Sequence, residues 1–295
     1  MKATSADKVF HICCISFLGL ACFVVLYPLV YCISCSFSST TAITEGRVWL
    51  WPVDFNLRAY YSVLSFARIR TGFMNSLFYV AGGTVVGVCL ILLAAYPLSR
   101  RDFPGRKLFT VFFLVTMFFN GGIIPNYMLM RNLNLIGSRL ALIIGFMFSC
   151  YNMIIVRTYF QNSIPAGLLD AAQIDGCNDL RFFLVIALPL AVPVIAVMVL
   201  FYGVWIWNSY FNGMLYLTEP ATYSFQMVLR DILFVARMPQ EIVDTMDPNT
   251  MMNLSNILQQ LRYAVLVVGA LPMMILYPFV QKYFIRGIML GSLKE

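Results

Sequence analysis

The residues of this chain that could do chemistry gather in one polar stretch, residues 163–183, which reads SIPAGLLDAAQIDGCNDLRFF. Asp170 and Asp175 stand there beside Ala171, Ala172 and Gly176. The only histidine of the chain is His11, far from this stretch. General acid–base, nucleophilic and metal chemistry therefore lack the partners they need. The composition suits binding instead. Ser163 is read as an N-cap with Pro165 in the first turn, and Gly176 can take the left-handed conformation that closes a helix. Asn178 or Asp179 can then cap a second helix. Within the first helix Leu168, Ala171, Ala172 and Asp175 fall at i, i+3, i+4 and i+7 and share a face, with Asp170 and Ile174 in an adjoining row. Small residues on that face let a partner approach closely. The segment reads as a docking knob that inserts into another protein, or else as an amphipathic helix lying on a membrane surface.

The elements that must position this knob are apolar. Of the 295 residues 61% are hydrophobic and 11% charged, against about 25% charged in an ordinary soluble domain. Six runs lack Asp, Glu, Lys and Arg: residues 10–37, 72–98, 108–130, 140–156, 183–207 and 263–280. A bilayer core about 30 Å thick needs roughly 20 apolar residues per helix, so each run is expected to be one span. The first is too long for a signal-peptide core and is read as a retained span. No span carries the embedded charge that proton relays and voltage sensors use. The net charge of +7 sits at span ends, where it suits anionic headgroups rather than nucleic acid. Cys177 lies in the polar stretch and the other cysteines in apolar runs, as small buried hydrophobes; Cys32 and Cys35 form a C-x-x-C pair with no second pair to complete a metal site.

Six spans put both termini on one side. Lys and Arg are roughly twice as dense on the segments that share that side, which the positive-inside rule makes the cytosol. Ser99-Arg100-Arg101-Asp102-Phe103-Pro104-Gly105-Arg106-Lys107 is the tightest of these connections and makes the second and third runs a hairpin. Trp49, Trp51, Trp205 and Trp207 lie near expected outer boundaries, where indole rings favour the interface. Pro28, Pro97, Pro189, Pro193, Pro272 and Pro278 are expected to kink or end helices. The chain divides into residues 1–71, with a cytosolic start, the first span and an outer loop; residues 72–285, a core with the loop 163–183 and a long outer loop 208–262; and a cytosolic tail, 286–295.

Asp170-Ala171-Ala172, then Asp175-Gly176, Phe183, Leu188-Pro189 and Pro193 resemble the E-A-A-x-x-D-G loop of binding-protein-dependent ABC importer permeases. Asn75-Ser76-Leu77, Tyr96-Pro97-Leu98-Ser99-Arg100, Trp207-Asn208 and residues 277–284 agree, so the resemblance covers nearly the whole chain. It is strongest to the carbohydrate-uptake, maltose-type permeases, in the branch for oligosaccharides from polymers such as pectin or alginate. The first loop residue is usually Glu in that family and is Asp170 here, one methylene shorter; Cys177 replaces the commoner alanine.

The resemblance implies an all-α integral membrane protein, a six-helix type I importer bundle, in the bacterial cytoplasmic membrane. It implies that Asp170, Ala171, Ala172, Asp175 and Gly176 couple the spans to an ATPase dimer, and that the chain itself is not an enzyme. Independently, no G-x-x-x-x-G-K-[ST] phosphate loop occurs, nor any Gly-Lys dipeptide. ATP and Mg are therefore expected on the partner ATPase, with no cofactor on this chain. The other partners expected are a second, unlike permease, a solute-binding protein met by residues 208–262, the oligosaccharide and membrane lipid. Asn75, Tyr151, Asn152, Trp205, Trp207 and Asn208 are candidates for the solute path, since sugars are held by polar groups and aromatic faces. Interhelical bonding serves equally for the asparagines and interface anchoring for the tryptophans. A passive channel or secondary transporter is the competing class; it would act without an ATPase and would need a filter or ion site.

Overall fold

The computed structural model describes residues 5–235, 261–279 and 281. All regular structure among them is helical. Expectations for the tail 286–295, and for most of the loop 208–262 beyond residue 235, lie outside the described residues.

Helix α1 (Ser5–Ser36) is followed by the short α2 (Thr40–Thr44) and α3 (Arg58–Ser65), then by α4 (Ala67–Ser99). Next come α5 (Arg106–Phe118), α6 (Ile123–Asn132), α7 (Leu140–Gly145) and α8 (Cys150–Ser163). The polar stretch supplies α9 (Ala166–Ile174) and α10 (Asp179–Phe182). A π-helical turn over Phe183–Ala187, α11 (Leu188–Leu190) and α12 (Val192–Trp207) follow, then α13 (Tyr210–Tyr216), α14 (Phe225–Val235) and α15 (Leu261–Phe279).

Among the described residues three helices are long and apolar enough to cross a membrane: residues Asp7–Ser36 of α1, α4 and α15. Two helix pairs pass that test together but are bent, α5 with α6 by 112° and α10–α11 with α12 by 76°. The first bend falls at Gly121-Gly122, where the Gly122 N–H turns to the Asn120 Oδ1 at 2.9 Å instead of a helical carbonyl. The second falls at Ala191 between Pro189 and Pro193, neither of which has an N–H for the helical ladder. The run 140–156 is not one continuous helix. It divides into α7 and α8 because Ser149, in extended backbone, accepts from the Asn152 N–H at 3.4 Å and starts a new helix. Hydropathy cannot see that break, because the residues on both sides of it are apolar. Pro28 and Pro97 lie inside unbroken helices, as do Pro272 and Pro278 within α15. Pro28 and Pro272 do not end their helices, whereas Pro97 stands two residues before the last residue of α4.

The chain forms two compact units, one of residues 1–70 with 229–271 and one of residues 71–228 with 272–295. In the first, most of α1 is apolar on every side and unburied by its own chain, which suits a helix whose solvent is lipid. Its C-terminal end is built into a polar and aromatic knot. Ser34 donates to the Leu50 carbonyl at 2.6 Å, Ser36 bonds the Tyr60 hydroxyl at 2.8 Å, and Phe37 stacks on Phe55 and Tyr60. Tyr31 meets Tyr263 of α15 edge to face, and Arg68 pairs with Asp231 at 2.5 Å. Trp49 and Trp51 are exposed there.

The second unit holds the main core, centred on Tyr79, Ile91, Phe146, Met153, Met198 and Tyr202. Here α4 and α12 approach closely: a methyl group at Gly87 would lie 2.4 Å from the Tyr202 ring. The absent side chain is what admits that ring.

Candidate functional site

The polar stretch folds as a helix, a break and a second helix, as its residues imply, with two differences of detail. Ser163 ends α8 instead of capping α9, and Pro165 is itself the N-cap. The residue before a proline is driven out of the helical region; Ile164 is accordingly extended, and α9 can begin only after Pro165. At the other end Gly176 takes φ +77 and closes α9, while the Cys177 N–H donates to the Ala172 carbonyl at 2.9 Å. Asn178 then caps α10, its Oδ1 accepting from the Arg181 N–H at 2.8 Å. Asp179 follows in the first turn of α10, where the helix dipole favours a carboxylate.

The five residues expected to couple to an ATPase do not all point one way. Ala172 is 7% exposed and joins the core of the second unit, with Leu169 packed beside it. Asp170, Ala171, Asp175 and Gly176 are exposed. Ile174 is 86% exposed, an aliphatic side chain displayed in the last turn of α9. Thus α9 is seated on the bundle through Ala172 and offers its remaining surface outward. Behind it lies a cavity of about 810 Å³, lined by Leu169, Asp170 and Gln173 on one side and Arg100, Arg101 and Arg106 on another.

The last turn of α4 enters between the two legs of this loop. The Tyr96 ring lies 5.7 Å from Phe160 of α8, 6.5 Å from Phe182 and 4.8 Å from Phe183; all four rings are buried. Arg100, four residues on, grips two carboxylates. Its Nε and Nη2 bind both oxygens of Asp102, the first at 2.9 Å, and its Nη1 binds the Asp179 Oδ1. Asp102 and Asp179 raise the Arg100 affinity for its proton, and Arg100 in return holds the Asp102 carboxyl below the usual aspartate range. Arg157 of α8 donates to the Leu98 carbonyl at 3.0 Å, adding a cation at the α4 C-terminus. In the sequence 99–107 is a basic hairpin connection, and the one signal of this grip is that Tyr96 and Arg100 stand one helical turn apart.

The candidates for the solute path are dispersed. Asn75 is buried and donates through Nδ2 to the Ala221 carbonyl at 2.8 Å and the Tyr223 carbonyl at 3.0 Å. Tyr79 donates to Thr222 O at 2.7 Å, and Ser76 Oγ accepts from the Phe225 N–H at 2.8 Å. Asn75 is thus part of a strap that holds the turn 221–225. Trp207, 2% exposed, packs on Phe73 and Phe225 and is not at a surface. Trp205 is partly exposed and meets Phe146 edge to face with centroids 4.6 Å apart. Tyr151 is exposed, Asn152 is buried, and Asn208 is exposed with its Nδ2 on the Val204 carbonyl.

No family model matches the sequence. Individual relatives do. The chain is 36% identical over 294 residues to protein LplC of Bacillus subtilis (strain 168), spanning 100% of this chain and 98% of that one. It is 36% identical over 288 residues to the polygalacturonan/rhamnogalacturonan transport system permease protein YtcP of the same organism, spanning 98% and 99%. A solved structure of a bacterial ABC transporter involved in the import of the acidic polysaccharide alginate contains a similar chain, with a TM-score of 0.87, 34% identity, and coverage of 96% and 99%. With full-length similarity in sequence and in helical fold, this chain belongs to the family of carbohydrate-uptake ABC importer permeases, the non-catalytic integral membrane subunits of those transporters.

Proposed function

We propose that this chain is one of two unlike permeases of an importer for polysaccharide-derived oligosaccharides, driven by a separate ATPase dimer that docks on Asp170, Ala171, Ala172, Asp175 and Gly176. ATP and Mg act on that dimer. The observation that carries the reading is α9 itself: a short helix seated by Ala172, closed by the left-handed Gly176, with Asp170, Asp175 and Ile174 exposed. The relatives named for polygalacturonan/rhamnogalacturonan transport and alginate import support an oligosaccharide, neutral or acidic, handed over by an extracytoplasmic binding protein.

Six spans complete the reading: α1, α4 and α15, the two bent pairs, and α7 with α8 as a broken sixth. Both termini are then cytosolic, which the basic density of the segments on that side supports. Within the solute path Trp205 and Tyr151 offer exposed rings, with Asn152 and Asn208 as polar neighbours in the chain. Asn75 and Trp207 act from behind by holding the helices that carry them.

The test is solute-stimulated ATP hydrolysis by the reconstituted complex with loaded binding protein, comparing the native chain with Asp170→Arg and Gly176→Val. A Cβ at Gly176 would meet no atom within 4 Å, so valine there acts through the left-handed backbone and not through a clash, at about 1–2 kcal/mol. Loss of stimulation in both variants is expected. Unchanged stimulation and transport in both would overturn the docking assignment and favour a channel or a secondary transporter.

A further inference from the structure

A push on α9 reaches the spans through whatever ties the loop to them. We infer that Arg100, with Tyr96 one turn before it, is a positioning latch that makes the last turn of α4 and the 163–183 loop move as one body.

Four observations converge on it. Arg100 lies at the centre of the tie: its side chain is 12% exposed while those of Asp102 and Asp179 are 58% and 71% exposed. Its two carboxylates come from different places, Asp102 from the turn after α4 and Asp179 from the start of α10, three residues past Gly176. A planar guanidinium with five donors can hold both at once, which a lysine ammonium does with far less geometric constraint. Tyr96 lies among Phe160 before the loop and Phe182 and Phe183 at its end, so both legs of the loop close on one side chain of α4. The cavity behind α9 separates Asp170 and Gln173 from full contact with the α4 end. Rotation or withdrawal of α9 is therefore passed to α4 through the closed end of the loop, at Asp179.

The latch rests on the docking role proposed for α9, and the test separates the two. In the reconstituted complex, solute transported per ATP hydrolysed is measured for Asp179→Asn, Arg100→Gln, Arg100→Lys, the double variant Arg100→Gln/Asp179→Asn, and Arg101→Gln. Asp179 is exposed, so its substitution leaves the core untouched and keeps the test valid even where Arg100→Gln assembles poorly. A ratio lowered about five-fold or more in Asp179→Asn is expected, within the range of energetic coupling between sites. The double variant should match the single ones, because they break one contact. Arg100→Lys should fall between native and Arg100→Gln, and Arg101→Gln should match native. A purely structural role would lower the amount of assembled complex without changing this ratio. Loss of stimulated hydrolysis in Asp170→Arg with a native ratio in Asp179→Asn would overturn the latch alone. Native behaviour in both would overturn the latch and the docking role together.

Discussion

Near Asn75, α4 holds the backbone of the turn 221–225 by neutral hydrogen bonds, whereas at its Arg100 end it holds the 163–183 loop by aromatic rings and ions. Asn75 and Tyr96 are 21 residues apart, and at 1.5 Å per residue this separates the two anchorages by about 31 Å, the thickness of a hydrocarbon core. At the Asn75 end the turn 221–225 presents backbone groups with no ladder of their own. Asn75 and Tyr79 supply donors to its carbonyls, and Ser76 accepts from the Phe225 N–H. Neutral groups do this without the penalty of burying a charge. At the Arg100 end the carboxylates stay largely exposed, so an exposed pair contributes only about 0–1 kcal/mol. The rings contribute more, about 0.5–1.5 kcal/mol per aromatic pair beyond the area they bury. The difference teaches that one end is fastened by bonds costly to break, while the other combines a strong apolar seat with ions that hold geometry at little energy.

The comparison can be broken first at Tyr96. Tyr96→Ala removes the ring that both legs of the loop share, and a loss of about 3–5 kcal/mol is expected, as for large-to-small changes in cores. Thermal unfolding of the detergent-solubilised complex measures it, and a loss below about 1 kcal/mol would mean that the four rings do not form a packed seat. Asn75→Leu should have the next largest effect. It leaves the Ala221 and Tyr223 carbonyls without the Asn75 donor, at about 1–3 kcal/mol per stranded group. The same unfolding experiment checks it, and a neutral result would show that the strap is replaceable by packing.

The smallest effect expected is one of pH. Arg100 depresses the Asp102 carboxyl, so the pair stabilises the fold above the ordinary aspartate range and that contribution is lost as pH falls through the depressed value. Since Asp102 is more than half exposed, the loss is under about 1 kcal/mol. Native protein should therefore be slightly more stable than Asp102→Asn at neutral pH, and the difference should vanish as the pH falls below about 4. The strap, having no group that titrates at acidic pH, should show no such dependence when Asn75→Leu is compared with native over the same range.

Much of the architecture was legible in the residues, and the exceptions have physical causes. The break after Asp175 was readable because a glycine there is the residue that accepts the left-handed conformation, and Asn178 is a residue type suited to capping α10. The apolar runs announced α1, α4 and α15 because each is long and free of charge. The division of 140–156 at Ser149 was hidden, since a serine that caps and a serine that rides inside an apolar helix are alike in composition. The roles of Asn75 and Trp207 were hidden too: an asparagine facing a solute and one facing the carbonyls of residue 221 have the same sequence signature. Ala171 and Ala172 look interchangeable in the chain, yet one is exposed and the other seated in the core.

The sequence by itself thus determined the solvent of this protein, its helical class and the position of the helix–break–helix loop 163–183, because lipid demands long uncharged helices and a glycine turn is a local event. Only the tertiary structure decided what the loop is fastened to. Arg100 and Asp179 are 79 residues apart, as Asn75 is from residue 221 by 146, and no local rule pairs them. Their meeting follows from where α4, α8 and α12 pack, which depends on the fit of whole surfaces such as Gly87 against Tyr202.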